Sequence, residues 1–341
     1  MYTKWTNYLS QLGLEYEHPD PDTLASQLLA ARDNAVLAPL RDFGLLRASG
    51  SDASVFLNNL LSNDVLGITS TCARFAGMCT PKGRLIATML VWKDGEDLLL
   101  LLPGDVLATL LKKLSMYVLR AKVRLSEATA DFALIGISKP VGIADLNHDM
   151  AVHEVAPIAG GRTIRLDGSR WLLAIAPEVA IDRWAALTTQ ATVVGTEVWQ
   201  WLEIAAGQPR IVAATQEVFV PQMLNMELPA VAGVSFTKGC YPGQEIVART
   251  QHLGKIKRRM IRVRIDGDDQ FHPGAPVFSA QTGEQQCGTV VSCASAPGGG
   301  FEALICVQSS TVESGEINLG SPTGPRPTVI PLPYALDLSP G

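Results

Sequence analysis

The chain has 341 residues, of which 47% are hydrophobic and 18% charged, with a formal net charge of −5. That length exceeds one ordinary core and fits two or three domains, and the composition excludes a disordered chain. The negative balance excludes a surface that is basic throughout, as a general nucleic-acid binder would have.

The first 22 residues include Glu15, Glu17, Asp20 and Asp22 and no apolar core run. No secretory signal is read there, and the expected compartment is the cytoplasm. The first 40 residues read as helical and loosely attached. Asp52 stands at an N-cap position before Val55, Phe56, Leu57, Leu60 and Leu61, which are spaced as one apolar helical stripe. The polar run Ser62-Asn63-Asp64 ends it.

Strand-like runs follow at residues 85–92 and 98–102. The second, although very apolar, is cut short by Pro103 and Gly104, and a membrane span needs about 20 apolar residues. It reads as a buried strand, and no membrane association is expected. A helix is predicted with Val106, Leu107, Leu110, Leu111, Leu114 and Val118 on one side and Lys112 and Lys113 opposite. Strands are predicted at 122–125 and 132–137. Adjacent strands between helices imply an α+β unit with an antiparallel sheet.

Residues 138–162 read as a loop. A second unit of similar order follows, with strands at 163–166 and 171–176 and helices near 178–189 and 197–206. After Arg259 the pattern shifts to short β runs at 260–265, 277–279, 289–293 and 303–307, punctuated by Gly and Pro. That rhythm predicts a small β-barrel. The Pro-rich stretch 322–340 reads as an extended tail over the surface. The domains are thus drawn at 1–137, 138–258 and 259–341.

Six cysteines occur, none in a C-x-x-C pair, so they read as free thiols with no metal site. Cys240 stands apart. It lies between Gly239 and a Tyr-Pro-Gly turn, which puts its thiol on a loop. Lys238 is two residues away, and residues 244–249 can open a helix just after the turn. A lysine and a helix N-terminus both favour the reactive thiolate, while a packed structural cysteine fits the same residues. His252, twelve residues on, would complete a Cys–His pair or simply sit on the surface. From Lys238 to Arg264 eight basic residues face the single Glu245, which suits an anionic ligand or a solvated face. Arg262 and Arg264 alternate with Ile261, Val263 and Ile265 and read as the outer face of a strand.

The run Lys238-Gly-Cys-Tyr-Pro-Gly-Gln-Glu245 resembles the K-G-C-aromatic-x-G-Q-E signature of YgfZ-type folate-binding proteins. Phe219-Val-Pro-Gln-Met-Leu-Asn225, Leu61-Ser-Asn-Asp-Val65, Thr80-Pro-Lys-Gly-Arg84 and Tyr117-Val-Leu-Arg-Ala-Lys122 match further family runs in family order. The family is similar in fold to the T-protein of the glycine cleavage system, a tetrahydrofolate-dependent aminomethyltransferase. The resemblance therefore implies an α+β, T-protein-like fold: two α+β subdomains around a central folate cavity plus a C-terminal β-barrel. It implies tetrahydrofolate or a derivative as cofactor. Cys240 and Lys238 are the implied chemical centre. Gln222, Asn225, Tyr241, Gln244, Glu245, Arg249, Asn63, Arg84 and Arg120 are the implied folate-binding set.

Two departures shape the expected function. Where T-protein-like enzymes carry an acidic pair, this chain has Ala87 and Thr88. No glycine-cleavage activity is expected without that carboxylate. Where relatives often place a pterin-binding Glu, it has Ala205, with Glu203 two positions earlier. The implied role is a monomeric folate-binding accessory factor for iron–sulfur cluster assembly or repair. Its partners are iron–sulfur client or assembly proteins, and the link to tRNA runs through client enzymes. The alternative is a tetrahydrofolate-dependent one-carbon transferase.

Overall fold

The computed structural model describes residues 4–14, 20–140, 146–252, 256–281 and 283–337. In chain order the elements begin with α1 (Lys4–Gln11), α2 (Pro21–Asp33), β1 (Val36–Pro39), β2 (Phe43–Ser49), α3 (Ala53–Asn58), β3 (Arg74–Cys79), β4 (Leu85–Asp94), β5 (Asp97–Pro103), α4 (Gly104–Val118) and β6 (Arg124–Glu127). Then come β7 (Ala133–Ser138), β8 (Val155–Ile158), β9 (Gly161–Arg165), β10 (Arg170–Ile175), α5 (Pro177–Leu187), β11 (Thr192–Val193), α6 (Thr196–Ala205) and α7 (Gln244–His252). The chain finishes with β12 (Arg258–Ile265), β13 (Pro276–Ser279), β14 (Gly288–Ser295), β15 (Phe301–Gln308), α8 (Ser309–Ser314), β16 (Ile317–Leu319) and β17 (Thr328–Ile330).

The chain forms two compact units interleaved in sequence. One comprises Met1–Ala53, Gly67–Arg74 and Leu90–Trp199; the other Ser54–Leu66, Phe75–Met89 and Gln200–Gly341. The chain passes between them five times, at the start of α3, after Leu66, at the start of β3, inside β4 and inside α6.

The first unit contains the sheet β11-β1-β7-β10-β9-β8. Its core gathers Leu37, Ile135, Ile137, Trp171, Leu173 and Ile175 beneath α1 and α5. The first 40 residues are not loosely attached. Trp5 and Leu9 of α1 are buried, and the Trp5 ring meets Trp184 edge-on at 5.4 Å. β1 is fully buried and pairs with β7 and β11. Four residues ending in proline leave too short a signal to separate from the helix before them. β8 falls inside the predicted 138–162 loop, of which 141–145 lie outside the described residues.

β2 pairs antiparallel with β5 and β6, and α4 packs on them through Val106, Leu107, Leu110 and Leu114. The antiparallel expectation for this part holds. Gly44 admits the helix: a Cβ there would lie 2.2 Å from the Leu107 side chain. Asp52, expected as an N-cap, sends its carboxylate to the backbone N–H of Lys122 at 2.8 Å.

The second unit carries the C-terminal sheet β16-β13-β14-β15-β12-β17, curled into a half-barrel. Ile261, Val263 and Ile265 of β12 point into its core with Ile305, Val307 and Val290. Arg262 and Arg264 point away from that core, as the alternation predicts, but they are half-buried and paired with the buried Glu302 instead of solvated. The Pro-rich stretch does more than cover the surface: β17 extends the sheet, pairing with β12. No helix among the described residues is long and apolar enough to cross a membrane.

Candidate functional site

The signature residues lie in the second unit, on a loop that enters α7. Tyr241, Pro242 and Gly243 make the turn: the Tyr241 carbonyl accepts the Gln244 N–H at 3.1 Å, and Gly243 adopts φ +82°. Glycine takes that conformation without the penalty a Cβ brings. Tyr241 and Val247 are buried and hold the loop down. Cys240, between them and Gly239, is exposed.

Lys238 is turned inward. Its ammonium donates to the carbonyl of Asn58, which ends α3 and has no helical partner there, and to that of Leu61 just beyond at 2.5 Å. It lies 5.1 Å from the Tyr241 ring centroid. Burial pulls its pKa down to about 8 against the opposing pull of Asp64.

Two neighbouring residues complete a polar hub. Asn63 donates to the carbonyls of Phe75 and Ala232, and its own side-chain oxygen accepts the Asp64 N–H. Ser62 donates to the Gly233 carbonyl at 2.6 Å and accepts the Gly77 N–H. The end of α3, the strand β3 and the segment leading to the signature are thus tied through two side chains. Sequence reading placed Asn63 but not Ser62, whose neighbours in sequence give no sign of its partners.

The Thr80–Arg84 turn packs against the start of α7. A Cβ on Gly83 would lie 3.0 Å from Ile246 Cβ. Arg84 donates to the Val218 carbonyl. Farther along β4, Ala87 and Thr88 are buried, and the Thr88 hydroxyl accepts the Ile211 N–H at 3.1 Å. The acidic-pair positions therefore hold a methyl and a hydroxyl already engaged with backbone.

Gln222 and Asn225 sit on and after a single 3-10 turn, Pro221–Leu224. Both are fully buried. The Gln222 amide donates to the Val247 carbonyl at 2.6 Å, pinning α7, and the Asn225 amide donates to Met260 at 2.8 Å, pinning β12. Arg259 bridges the Gln222 carbonyl and the Glu227 carboxylate. Burial raises the Glu227 pKa despite the opposing effect of Arg259. Tyr334 donates to the Gly207 carbonyl at 3.0 Å. Glu227 and Tyr334 were not anticipated, and Arg259 was read only as one of the eight basic residues from Lys238 to Arg264; their partners are distant in sequence.

What remains open to solvent is narrower than the predicted set. Glu245 and Arg249, four residues apart on α7, are exposed with Cys240, and Gln244 is half-buried. Phe236 and Ile246 are exposed beside them in sequence. Arg120 is exposed in the first unit, on the turn after α4. His252 closes α7, but its side chain lies outside the described residues. Ala205 ends α6 and gives its carbonyl to Arg262; Glu203 pairs with Arg210 at 3.2 Å.

No family model matches the chain. In fold it is similar to the glycine cleavage system aminomethyltransferase T of Bartonella henselae, with a TM-score of 0.76 over 97% of each chain at 15% identity. In sequence it is similar to the tRNA-modifying protein YgfZ of Photobacterium profundum, 30% identical over 318 residues that cover 91% of this chain and 95% of that protein. The YgfZ of Colwellia psychrerythraea is 32% identical over 275 residues, 77% of this chain and 82% of its own length. That of Serratia proteamaculans is 27% identical over 310 residues, 88% and 92% of the two chains. With an exposed signature cysteine on a T-protein fold, and with identity at this level over nearly the whole length, this chain belongs to the YgfZ family.

Proposed function

We propose that the chain is a folate-binding tRNA-modification factor that supports iron–sulfur enzymes, with Cys240 as its working thiol. The observation that carries this is the contrast within the signature. Lys238 and Tyr241 are committed inward, while Cys240 is the exposed one of six cysteines. The relatives named as tRNA-modifying proteins and the T-protein fold support the RNA and folate parts of the reading.

The residues left free fit a folate. Its pterin presents a row of N–H donors, which the exposed Glu245 carboxylate can accept in pairs. Its glutamyl tail is anionic, which suits Arg249 one helical turn on. Gln222, Asn225 and Asn63 would act behind these two, holding α7 and the loop in place. A bound tetrahydrofolate would supply a reduced one-carbon carrier. Ala87 and Thr88 offer no carboxylate to its amine, so no aminomethyl transfer is expected. Cys240 would be offered from the loop to an iron–sulfur client or assembly protein, in the cytoplasm.

The test is complementation. In a strain lacking the gene, thiomethylated tRNA and iron–sulfur enzyme activity are measured after return of wild type or Cys240→Ser. Wild type restores both and the serine variant does not; full rescue by serine would remove Cys240 from the mechanism. Tetrahydrofolate titration of Glu245→Gln and Arg249→Ala tests these two contacts, with affinity expected to fall about tenfold for each, about the 1.4 kcal/mol of one charge-assisted contact. Unchanged affinity in both would move the folate elsewhere. Measurable aminomethyl transfer at enzymatic rates would favour the one-carbon transferase.

A further inference from the structure

The turn after α4 exposes what a folded surface normally hides. Leu119 is 88% exposed, Met116 63% and Tyr117 39%, although the helix has already buried Val106, Leu107, Leu110 and Leu114. Leu119 also adopts φ +42° and ψ −104°, a conformation that costs a residue with a Cβ of order 1–3 kcal/mol. Leu119 thus stands in solvent at a backbone cost, with no compensating burial.

The turn is built to stay that way. Asp52 accepts the Lys122 N–H at 2.8 Å, and the backbone of Gly50 lies so close that a Cβ there would be 2.1 Å from the Lys122 carbonyl oxygen. The Ala121 N–H returns to the Val118 carbonyl. Around the apolar tip, residues 106–126 hold Lys112, Lys113, Arg120, Lys122 and Arg124 and no carboxylate of their own, and the neighbouring Asp52 and Glu127 leave the balance there positive, in a chain whose net charge is −5. Lys112, Arg120, Lys122 and Arg124 are exposed.

We propose that the last turn of α4 and the 119–124 segment form a docking surface for single-stranded or looped RNA. Arg120, Lys122, Arg124 and Lys112 meet phosphates, and Leu119, Met116 and Tyr117 lie against unstacked bases. The RNA part rests on the reading of the chain as a tRNA-modification factor. The chemistry favours RNA over a lipid surface. Membrane attachment grows with the apolar area inserted, and three side chains on one turn insert little. Single-stranded RNA is held by cations along its backbone together with flat or apolar side chains against its bases.

The experiment measures binding of an unmodified tRNA transcript to the full-length protein by fluorescence anisotropy across a salt series. Lys112→Ala/Lys122→Ala/Arg124→Ala is expected to bind at least tenfold more weakly at moderate salt. Its slope of log K against log salt should be shallower by about two to three, since each lost phosphate contact removes about 0.7–0.9. Leu119→Gly is expected to bind several-fold more weakly while its thermal midpoint holds or rises, because glycine accepts the conformation that leucine resists. A structural role would lower the midpoint instead. Equal affinity and equal slope in the triple variant overturn the proposal. So does wild-type binding to phosphatidylglycerol/phosphatidylcholine vesicles without binding to tRNA. Tetrahydrofolate titration of the same variants separates the readings: the patch variants retain folate affinity, and loss of folate binding in wild type would count against the proposed function, not against this surface.

Discussion

Gly243 and Gly83 meet backbone to backbone. A Cβ on Gly243 would lie 2.7 Å from Gly83 Cα and 2.4 Å from the Thr80 carbonyl oxygen. The loop that carries Cys240 is thereby seated on a turn some 160 residues earlier, and only glycine at both positions lets them approach. Gly243→Ala is expected to destabilise the protein by about 2–4 kcal/mol, from a strained φ and a collision with backbone that cannot move aside. Gly239→Ala, with nothing within 4 Å of its added Cβ, should stay within about 0.5 kcal/mol. Urea unfolding of the pair decides; equal effects would mean the contact does not hold the loop.

Lys238 should make stability depend on alkaline pH. Its folded pKa, about 8, lies below the ordinary 10.5, so between those values the unfolded chain holds the extra proton. Stability therefore rises as pH climbs from about 8 to 10.5 and is flat below that window. Lys238→Met removes this titration. The difference in unfolding free energy, wild type minus variant, should grow across the window; a constant difference would contradict the buried ammonium.

His153 should act at the acid end. Burial first, and then the Arg74 guanidinium, push its pKa down to about 4 from 6.5, with Asp167 pulling the other way. As pH falls from 6.5 toward 4 the unfolded chain takes up a proton that the folded one refuses. The protein should lose about 3 kcal/mol over that range, taking about 1.4 kcal/mol per pH unit. His153 has φ +65°, which asparagine tolerates, so His153→Asn is a suitable control. Its acid limb should flatten. An unchanged limb would place the titrating group elsewhere.

Arg259 and Glu227 form a nearly buried ion pair beneath the signature helix. Arg259→Met alone strands a carboxylate whose pKa burial already raises, at an expected cost of about 3–5 kcal/mol. Adding Glu227→Leu removes the stranded charge and should recover most of that loss. A double-mutant cycle checks this, and additive single effects would mean the two side chains do not depend on each other.

The strands and helices with a strong period were legible in the sequence. β4, β5, α4, β10, α5, α6 and β12 lie within a few residues of their predicted ranges, because each repeats its apolar positions over a turn or more. β1 was not legible, being four residues long and ending in proline. The site divides in the same way. The loop position and exposure of Cys240 follow from Gly239 and the Tyr-Pro-Gly turn, which are its sequence neighbours. That Gln222, Asn225 and Asn63 spend their amides on the carbonyls of Val247, Met260, Phe75 and Ala232 was not readable, since those partners lie 12 to 169 residues away.

By itself, then, the sequence determined the α+β class, the β-rich C-terminus and the signature that assigns the family. These rest on local pattern and residue identity, which need no third dimension. Tertiary structure alone decided which polar residues are pins and which are free. An amide facing a carbonyl from a distant segment and an amide facing solvent are the same letter in the chain. Only packing removes one from water and obliges it to find its partner. The same packing turned Lys238 inward, left Cys240 two residues later in the open, and held Leu119 out where no local preference would put it.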